Sequence, residues 1–122
     1  MSYFEILPKN QEAEALMVQN RNALFQLLEG CASKAFGIPA YDIICELNEC
    51  RVITFSESNQ KMKAAPDVLI KISTNDVELK DKAEYLKDLV IDGWNTLFGK
   101  KVALECWIDF FHTWGCNIDF DS

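Results

Sequence analysis

Residue types that can bind a metal or act as a nucleophile lie near the end of the sequence, where His112 follows Cys106 and precedes Cys116. Thiolate and imidazole groups bind zinc, but zinc sites need three or four converging ligands, and the sequence has no C-x-x-C pair. A nucleophilic cysteine with His112 as its base also lacks a supporting local motif. The sequence therefore predicts neither a metal site nor a cofactor, and we expect the cysteines to be small buried side chains.

The alternation around these residues predicts a strand over residues 102–111. One face is wholly apolar and consists of Val102, Leu104, Cys106, Ile108 and Phe110. The other face mixes carboxylates with aromatic rings and consists of Ala103, Glu105, Trp107, Asp109 and Phe111. Because burying an unpaired carboxylate is costly, we expect a polar or symmetric assembly to meet this second face.

Composition limits the classes of function. The chain has 122 residues, of which 49% are apolar, and this predicts one domain over residues 1–122. Five cysteines without a recognisable signal peptide indicate reduced thiols and a cytoplasmic location. A net charge of −7 and the lack of a long apolar run disfavour nucleic acid and membranes as partners.

Earlier segments supply the elements that must position these residues. Strands are predicted over residues 3–7, 41–47 and 67–73, with an additional short strand at 52–55. One amphipathic helix is predicted over residues 11–35, ending at Gly37, and a second from Asn75 or Asp76 to Gly99. Residues 56–65 show no periodicity, carry Lys61 and Lys63, and are predicted to form a surface loop.

These elements repeat at a period of about sixty residues. Phe36 and Gly37 recur as Phe98 and Gly99, and a strand follows each pair. We therefore predict pseudo-repeats over about 1–55 and 66–120, each a β-α-β unit with parallel strands. The fold class is α+β: a two-layer sandwich of four main strands with two helices on one face.

The sequence resembles the tautomerase superfamily, which includes macrophage migration inhibitory factor and 4-oxalocrotonate tautomerase. The resemblance rests on the repeated layout and on three segments: GIPAYDIICELNE (37–49), PDVLIKIST (66–74) and TWGCNIDF (113–120). It implies a homotrimer whose sheets line a central barrel, with pockets between subunits. It also implies keto-enol isomerase chemistry on a small carboxylate or enol substrate.

The resemblance assigns three candidate site residues. Enzymes of the superfamily use the amine of a proline after the initiator methionine as a general base, and Ser2 occupies that position here. Arg51, one of two arginines with Arg21, is the candidate for holding a substrate carboxylate, against the alternative of an ordinary surface arginine. Trp114 is the candidate pocket wall, against the alternative of an interface side chain.

Two functions remain open because serine replaces proline. In the first, removal of Met1 leaves a primary amine on Ser2 with a reference pKa of about 7.7 to 8.0, and this amine is the base. In the second, the protein keeps the fold and the trimer but serves as a non-catalytic assembly or ligand-binding protein.

Overall fold

The computed structural model describes residues 2–111 and 115. Four strands and four helices follow one another as β1 (Ser2–Pro8), α1 (Gln11–Gln19), α2 (Arg21–Phe36), β2 (Ile43–Leu47), α3 (Glu57–Met62), β3 (Val68–Thr74), α4 (Ala83–Phe98) and β4 (Leu104–Phe110). Two 3-10 turns precede β2 and α4, at Ala40–Asp42 and Val77–Lys82. No helix in the described part of the chain is both long and apolar enough to cross a membrane.

The four strands form one mixed sheet in the order β2-β1-β3-β4. Strands β1 and β2 are parallel, β3 and β4 are parallel, and β1 and β3 join the two pairs as antiparallel neighbours. Each parallel pair is connected through a helix, as parallel strands require. The predicted pair of β-α-β units is therefore present in the sheet topology.

Helices α2 and α4 cover one face of the sheet and enclose the core with it. Alternate strand residues point into this layer, which explains why their burial follows a period of two. The largest fully buried side chains are Phe4, Met17, Leu24, Leu28, Ile70, Ile72, Leu86 and Trp94. The prediction of a two-layer α+β sandwich with one helix-covered sheet face is confirmed.

Two glycines end the long helices as the sequence predicts. Gly37 has φ +68° and donates its N–H to Ser33 O, and Gly99 has φ +63° and donates to Asn95 O. Such left-handed backbone conformations favour glycine because it has no Cβ. The repeated Phe-Gly pair therefore ends a long helix in each half of the chain.

The prediction of one helix over residues 11–35 is wrong, because the helix breaks at Asn20. Asn20 has φ −107° and ψ 18°, and its side-chain Nδ2 donates to Leu16 O at 2.8 Å. Leu16 O also accepts the Asn20 backbone N–H at 3.1 Å, so the side chain shares this acceptor with the backbone at the point where α1 ends. The result is two helices, α1 and α2, rather than one.

The region between β2 and β3 also differs from its prediction. Residues 52–55 form no strand in the single chain, and the predicted loop at 56–65 contains the short helix α3. Ser56 begins α3 by accepting a hydrogen bond from Asn59 N at 3.1 Å. This capping signal was present in the sequence, but a helix of six residues is too short to show an apolar period.

Candidate active site

Ser2 lies at the start of β1, in a row of four residues that crosses the sheet. It pairs with Ile43 of β2 and Thr74 of β3, and Thr74 pairs with Phe110 of β4. Ser2 is 2% exposed and Thr74 is 1% exposed. The Phe110 ring packs against Phe36, with 6.4 Å between the ring centroids. Ser2 is therefore buried in mainly apolar surroundings, in which the hydroxyl groups are its own and that of Thr74.

Two acidic residues, Asp109 and Asp76, lie next to this row. Asp109 lies opposite Ser73 in the neighbouring row and is exposed on the second face of the sheet. Asp76 begins the turn after β3, and its N–H donates to Thr74 Oγ1 at 3.3 Å. Within the described strands, no lysine or arginine lies in the first three rows at the Ser2 end. The described strands therefore supply no cation for a substrate carboxylate at this end.

Arg51 lies at the opposite end of the sheet. Strand β1 spans seven residues from Ser2 to Pro8, which corresponds to about 20 Å at about 3.3 Å per residue. An open cleft of about 390 Å³ adjoins its far end and is lined by Glu5, Leu7, Pro8, Lys9, Asn48, Glu49, Arg51 and Val52. Within one chain, the structure therefore does not bring Arg51 to Ser2.

Asp67 fixes the elements at the Arg51 end. Its carboxylate accepts from Asn10 Nδ2 at 3.1 Å and from Ala103 N at 2.9 Å. Its backbone N–H donates to Ala103 O, and its carbonyl accepts from Lys9 N. Asn10 in turn accepts a hydrogen bond from Ala13 N and caps α1. Asp67 therefore connects the residue after β1, the start of α1, the start of β3 and the residue before β4. We assign Asp67 a structural role.

The thiols have properties of buried side chains rather than of nucleophiles. The four described cysteines, Cys31, Cys45, Cys50 and Cys106, form no disulfide with one another. Burial raises the pKa of Cys106 to about 11 and also raises the pKa of Cys31. Burial, together with the charge of Glu29, raises the pKa of Cys45 to about 11. These three thiols are protonated near neutral pH, which argues against Cys106 as a catalytic thiolate.

Several predicted residues cannot be compared with the structure. Trp114, His112 and Cys116 lie outside the described residues, so the pocket-wall role of Trp114 stays a prediction. In residues 2–111 and 115, no three histidine, cysteine, aspartate or glutamate side chains are placed to hold a metal ion. The prediction of no metal site remains untested where His112 and Cys116 are concerned.

Sequence reasoning missed Thr74, the hydroxyl that adjoins Ser2. The signal was available, because Thr74 continues the set of alternate positions formed by Val68, Ile70 and Ile72. A hydroxyl in that set must lie on the covered face, and only knowledge of the strand register places it beside Ser2. Thr74 is therefore a candidate residue of the same site.

Comparison with known proteins supports the fold. No model of a known protein family matches the sequence, and no curated protein matches it. A fused 4-OT in an asymmetric trimer is similar in structure, with a TM-score of 0.67, 14% identity and coverage of 90% of this chain and 86% of that one. A macrophage migration inhibitory factor-like protein from Entamoeba histolytica has a TM-score of 0.58 and 17% identity, with coverage of 98% and 95%.

A third similar structure is a protein of unknown function from Vibrio cholerae, with a TM-score of 0.61, 10% identity and coverage of 97% of this chain and 84% of that one. At such identities, a structural likeness concerns the fold and leaves the chemistry open. Two of these structures, the migration inhibitory factor-like protein and the fused 4-OT, are of the kinds that the sequence resembles. The chain therefore has the fold of the tautomerase superfamily.

Proposed function

We propose that this protein is a homotrimeric member of the tautomerase superfamily that catalyses keto-enol isomerisation, with the Ser2 amine as its base. The observation that carries the proposal is the position of Ser2. It is buried at the start of the central strand β1, between an isoleucine and a threonine whose next neighbour is Phe110. An apolar frame disfavours the ammonium form, so it lowers the pKa of an amine and favours the free base.

The proposed reaction needs one base and no cofactor. After removal of Met1, the neutral amine of Ser2 takes a proton from the carbon beside the substrate carbonyl, and an enolate and an ammonium group form. The ammonium group then returns the proton to the enolate oxygen, which completes the keto-to-enol conversion and restores the neutral amine. A base whose pKa lies near the working pH is most efficient in such a transfer.

Substrate binding is proposed to require a second copy of the chain. The Ser2 end carries carboxylates from its own chain, whereas Arg51 lies about 20 Å away along β1. In the proposed trimer, Arg51 of one copy binds the substrate carboxylate beside Ser2 of another copy, and Trp114 walls the pocket. Arg51→Ala should raise KM roughly tenfold through loss of a charged hydrogen bond, whereas Arg21→Ala should leave KM unchanged.

Ser2→Pro tests whether a functional pocket surrounds this position. The assay follows tautomerisation of phenylpyruvate and related enols, with protein whose Met1 removal has been verified by mass spectrometry. If the pocket is intact, the secondary amine should raise activity above that of the parent protein, within the 10²- to 10⁴-fold that acid-base catalysis typically supplies. Activity in neither protein, across several enol and unsaturated-acid substrates, would overturn the enzymatic proposal.

The second candidate is a non-catalytic trimeric assembly or ligand-binding protein. The serine in place of proline favours it, as does Asp109 in the row next to that of Ser2, because a carboxylate repels an anionic substrate and stabilises an ammonium group. This candidate predicts a trimer with no tautomerase activity before or after the Ser2→Pro change. A cytoplasmic location and the lack of nucleic-acid or membrane partners are proposed in both cases.

A further inference from the structure

The buried polar side chains in the described part of the chain are those of Ser2 and Thr74, and they are direct partners across the sheet. Ser2 is 2% exposed and Thr74 is 1% exposed. Strand pairing places them opposite each other in β1 and β3. Because a buried hydroxyl group is costly unless it forms a hydrogen bond, each of these two side chains needs a partner.

The pattern of hydrogen bonds between β1 and β3 brings the two side chains close together. Lys9 N donates to Asp67 O at 2.8 Å, which marks these two residues as a hydrogen-bonded pair of the antiparallel ladder. The two kinds of pair alternate along the register, so Ser2 and Thr74 form a non-hydrogen-bonded pair. The Cα atoms of such a pair are about 4.5 Å apart, and its side chains approach each other most closely.

Thr74 is held firmly by its neighbours. Its hydroxyl oxygen accepts from Asp76 N at 3.3 Å, and its backbone carbonyl accepts from Phe111 N at 3.2 Å. Asp76 is fixed in turn through its carboxylate, which accepts from Glu78 N at 3.1 Å. Since the Thr74 hydroxyl uses its oxygen as the acceptor for Asp76, its own proton is available for donation.

Ser2 needs an anchor more than a proline at this position would. After removal of Met1 it is the first residue, and first residues are poorly ordered unless they are tied down. The ring of a proline is rigid and can pack against apolar neighbours. Serine has no ring and little apolar surface, so a cross-strand hydrogen bond is the interaction that can hold its side chain.

We propose that Thr74 is a positioning residue, which donates its hydroxyl proton to the Ser2 hydroxyl in the processed protein. This hydrogen bond would hold the Cα of Ser2, and with it the amine, in one orientation toward the substrate. Thr74 is too buried to touch substrate, so it acts through Ser2. Its part in catalysis rests on the proposed function, whereas the hydrogen bond can be tested without substrate.

Thr74→Val tests the catalytic part, because valine has nearly the same shape but no hydroxyl. The kcat for phenylpyruvate tautomerisation should fall roughly fivefold, as expected for one ordinary hydrogen bond, while KM changes by less than about twofold. Thr74→Ser keeps the hydroxyl and should restore kcat. Ser73→Ala is the matched control, since it removes the neighbouring hydroxyl on the other face of β3, and it should leave kcat unchanged. A fall in kcat that Thr74→Ser does not restore would overturn the role of Thr74.

Ser2→Ala removes the same hydrogen bond from the chain end, where folding is not at stake. It should also lower kcat roughly fivefold. Because both substitutions remove one shared interaction, the double variant with Thr74→Val should be no slower than either single variant. Effects on kcat that multiply in the double variant would contradict the proposed hydrogen bond.

The mobility of Ser2 tests the hydrogen bond in the absence of substrate. With the Ser2 Cβ labelled by carbon-13, NMR relaxation should show a rigid side chain in the processed parent and in Thr74→Ser, and a mobile one in Thr74→Val. A Ser2 side chain that stays rigid in Thr74→Val would overturn the inference.

The inference and the proposed function fail separately. A parent protein without tautomerase activity, in which Thr74→Val still makes Ser2 mobile, would remove the reaction and keep the hydrogen bond. An active parent protein in which Thr74→Val changes neither kcat nor the mobility of Ser2 would keep the reaction and remove the role of Thr74.

Discussion

At one end of the sheet, Ser2 and Thr74 lie buried between Ile43 and Phe110, whereas at the other end Arg51 and Lys9 line an open cleft. The first end is buried, which would favour the free amine of the proposed function, and the charged strand residue in its neighbouring row is Asp109. The second end has cations and solvent access, but the described elements there are tied by Asp67 into a structural network.

This difference shows how catalysis and binding are divided along the chain. The proposed base and the proposed carboxylate-binding cation are about 20 Å apart in one copy, so one chain does not bring these two groups to the same substrate. In the proposed trimer, assembly resolves the separation by placing Arg51 of one copy beside Ser2 of another. We therefore expect chemistry to depend on the Ser2 end, while the far end contributes stability and, through Arg51, binding.

The largest expected effect concerns the Ser2 end. Ser2→Leu should prevent removal of Met1, because a large second residue blocks processing, and activity should fall by about 10² to 10⁴-fold with loss of the free amine. Ser2→Ala is the matched control, since it is processed and keeps a primary amine but has no hydroxyl. Equal activity in Ser2→Leu and Ser2→Ala, each with its N-terminus verified, would show that the amine is not the base.

The next effect concerns the thiols, which have no role in the proposed reaction at either end of the sheet. Because the pKa of Cys106 is raised to about 11 from 9.0, its alkylation by iodoacetamide at pH 8 should be about 100-fold slower in folded than in unfolded protein. The folded state keeps this proton more tightly, so the thiol's contribution to stability is present below pH 9 and is lost between about pH 9 and 11. Equal alkylation rates, measured by mass spectrometry of the Cys106 peptide, would contradict the described burial.

A smaller effect is expected at the far end. Asp67→Ala removes the acceptor of Asn10 Nδ2 and of Ala103 N, and it should lower the free energy of unfolding by about 2 kcal/mol. Asp81→Ala, an exposed carboxylate in the turn before α4, should change it by less than about 0.5 kcal/mol. Urea denaturation measures both. An Asp67→Ala protein as stable as the parent would remove the structural role assigned to this end.

The sequence predicts much of the scaffold because its signals are local. The apolar alternation in the strands and the glycines at 37 and 99 are read from neighbouring residues, and the structure confirms them. The break at Asn20 was missed because it is a change in the backbone angles of one residue within an otherwise continuous apolar stripe.

The candidate site was less predictable because it depends on register. Nothing in the order of residues places Thr74 beside Ser2 or puts Arg51 at the opposite end of β1; strand pairing does both. The strand predicted at 52–55 is absent for a similar reason: residues that favour a strand form one only where a neighbouring strand pairs with them. Ser2 itself was identified through family resemblance and not through spacing or composition.

The proposed reaction requires that the buried surroundings of Ser2 keep its amine unprotonated at neutral pH. The direct measurement is an NMR titration of the α-amino group in processed protein, with Ser2 labelled by nitrogen-15. Since Ser2 is buried and pairs with Ile43, while Asp109 lies on the exposed face, where solvent weakens its effect, we expect desolvation to prevail. The predicted pKa lies below the reference of about 7.7 to 8.0. A pKa at or above that reference would contradict the claim and favour the non-catalytic assembly.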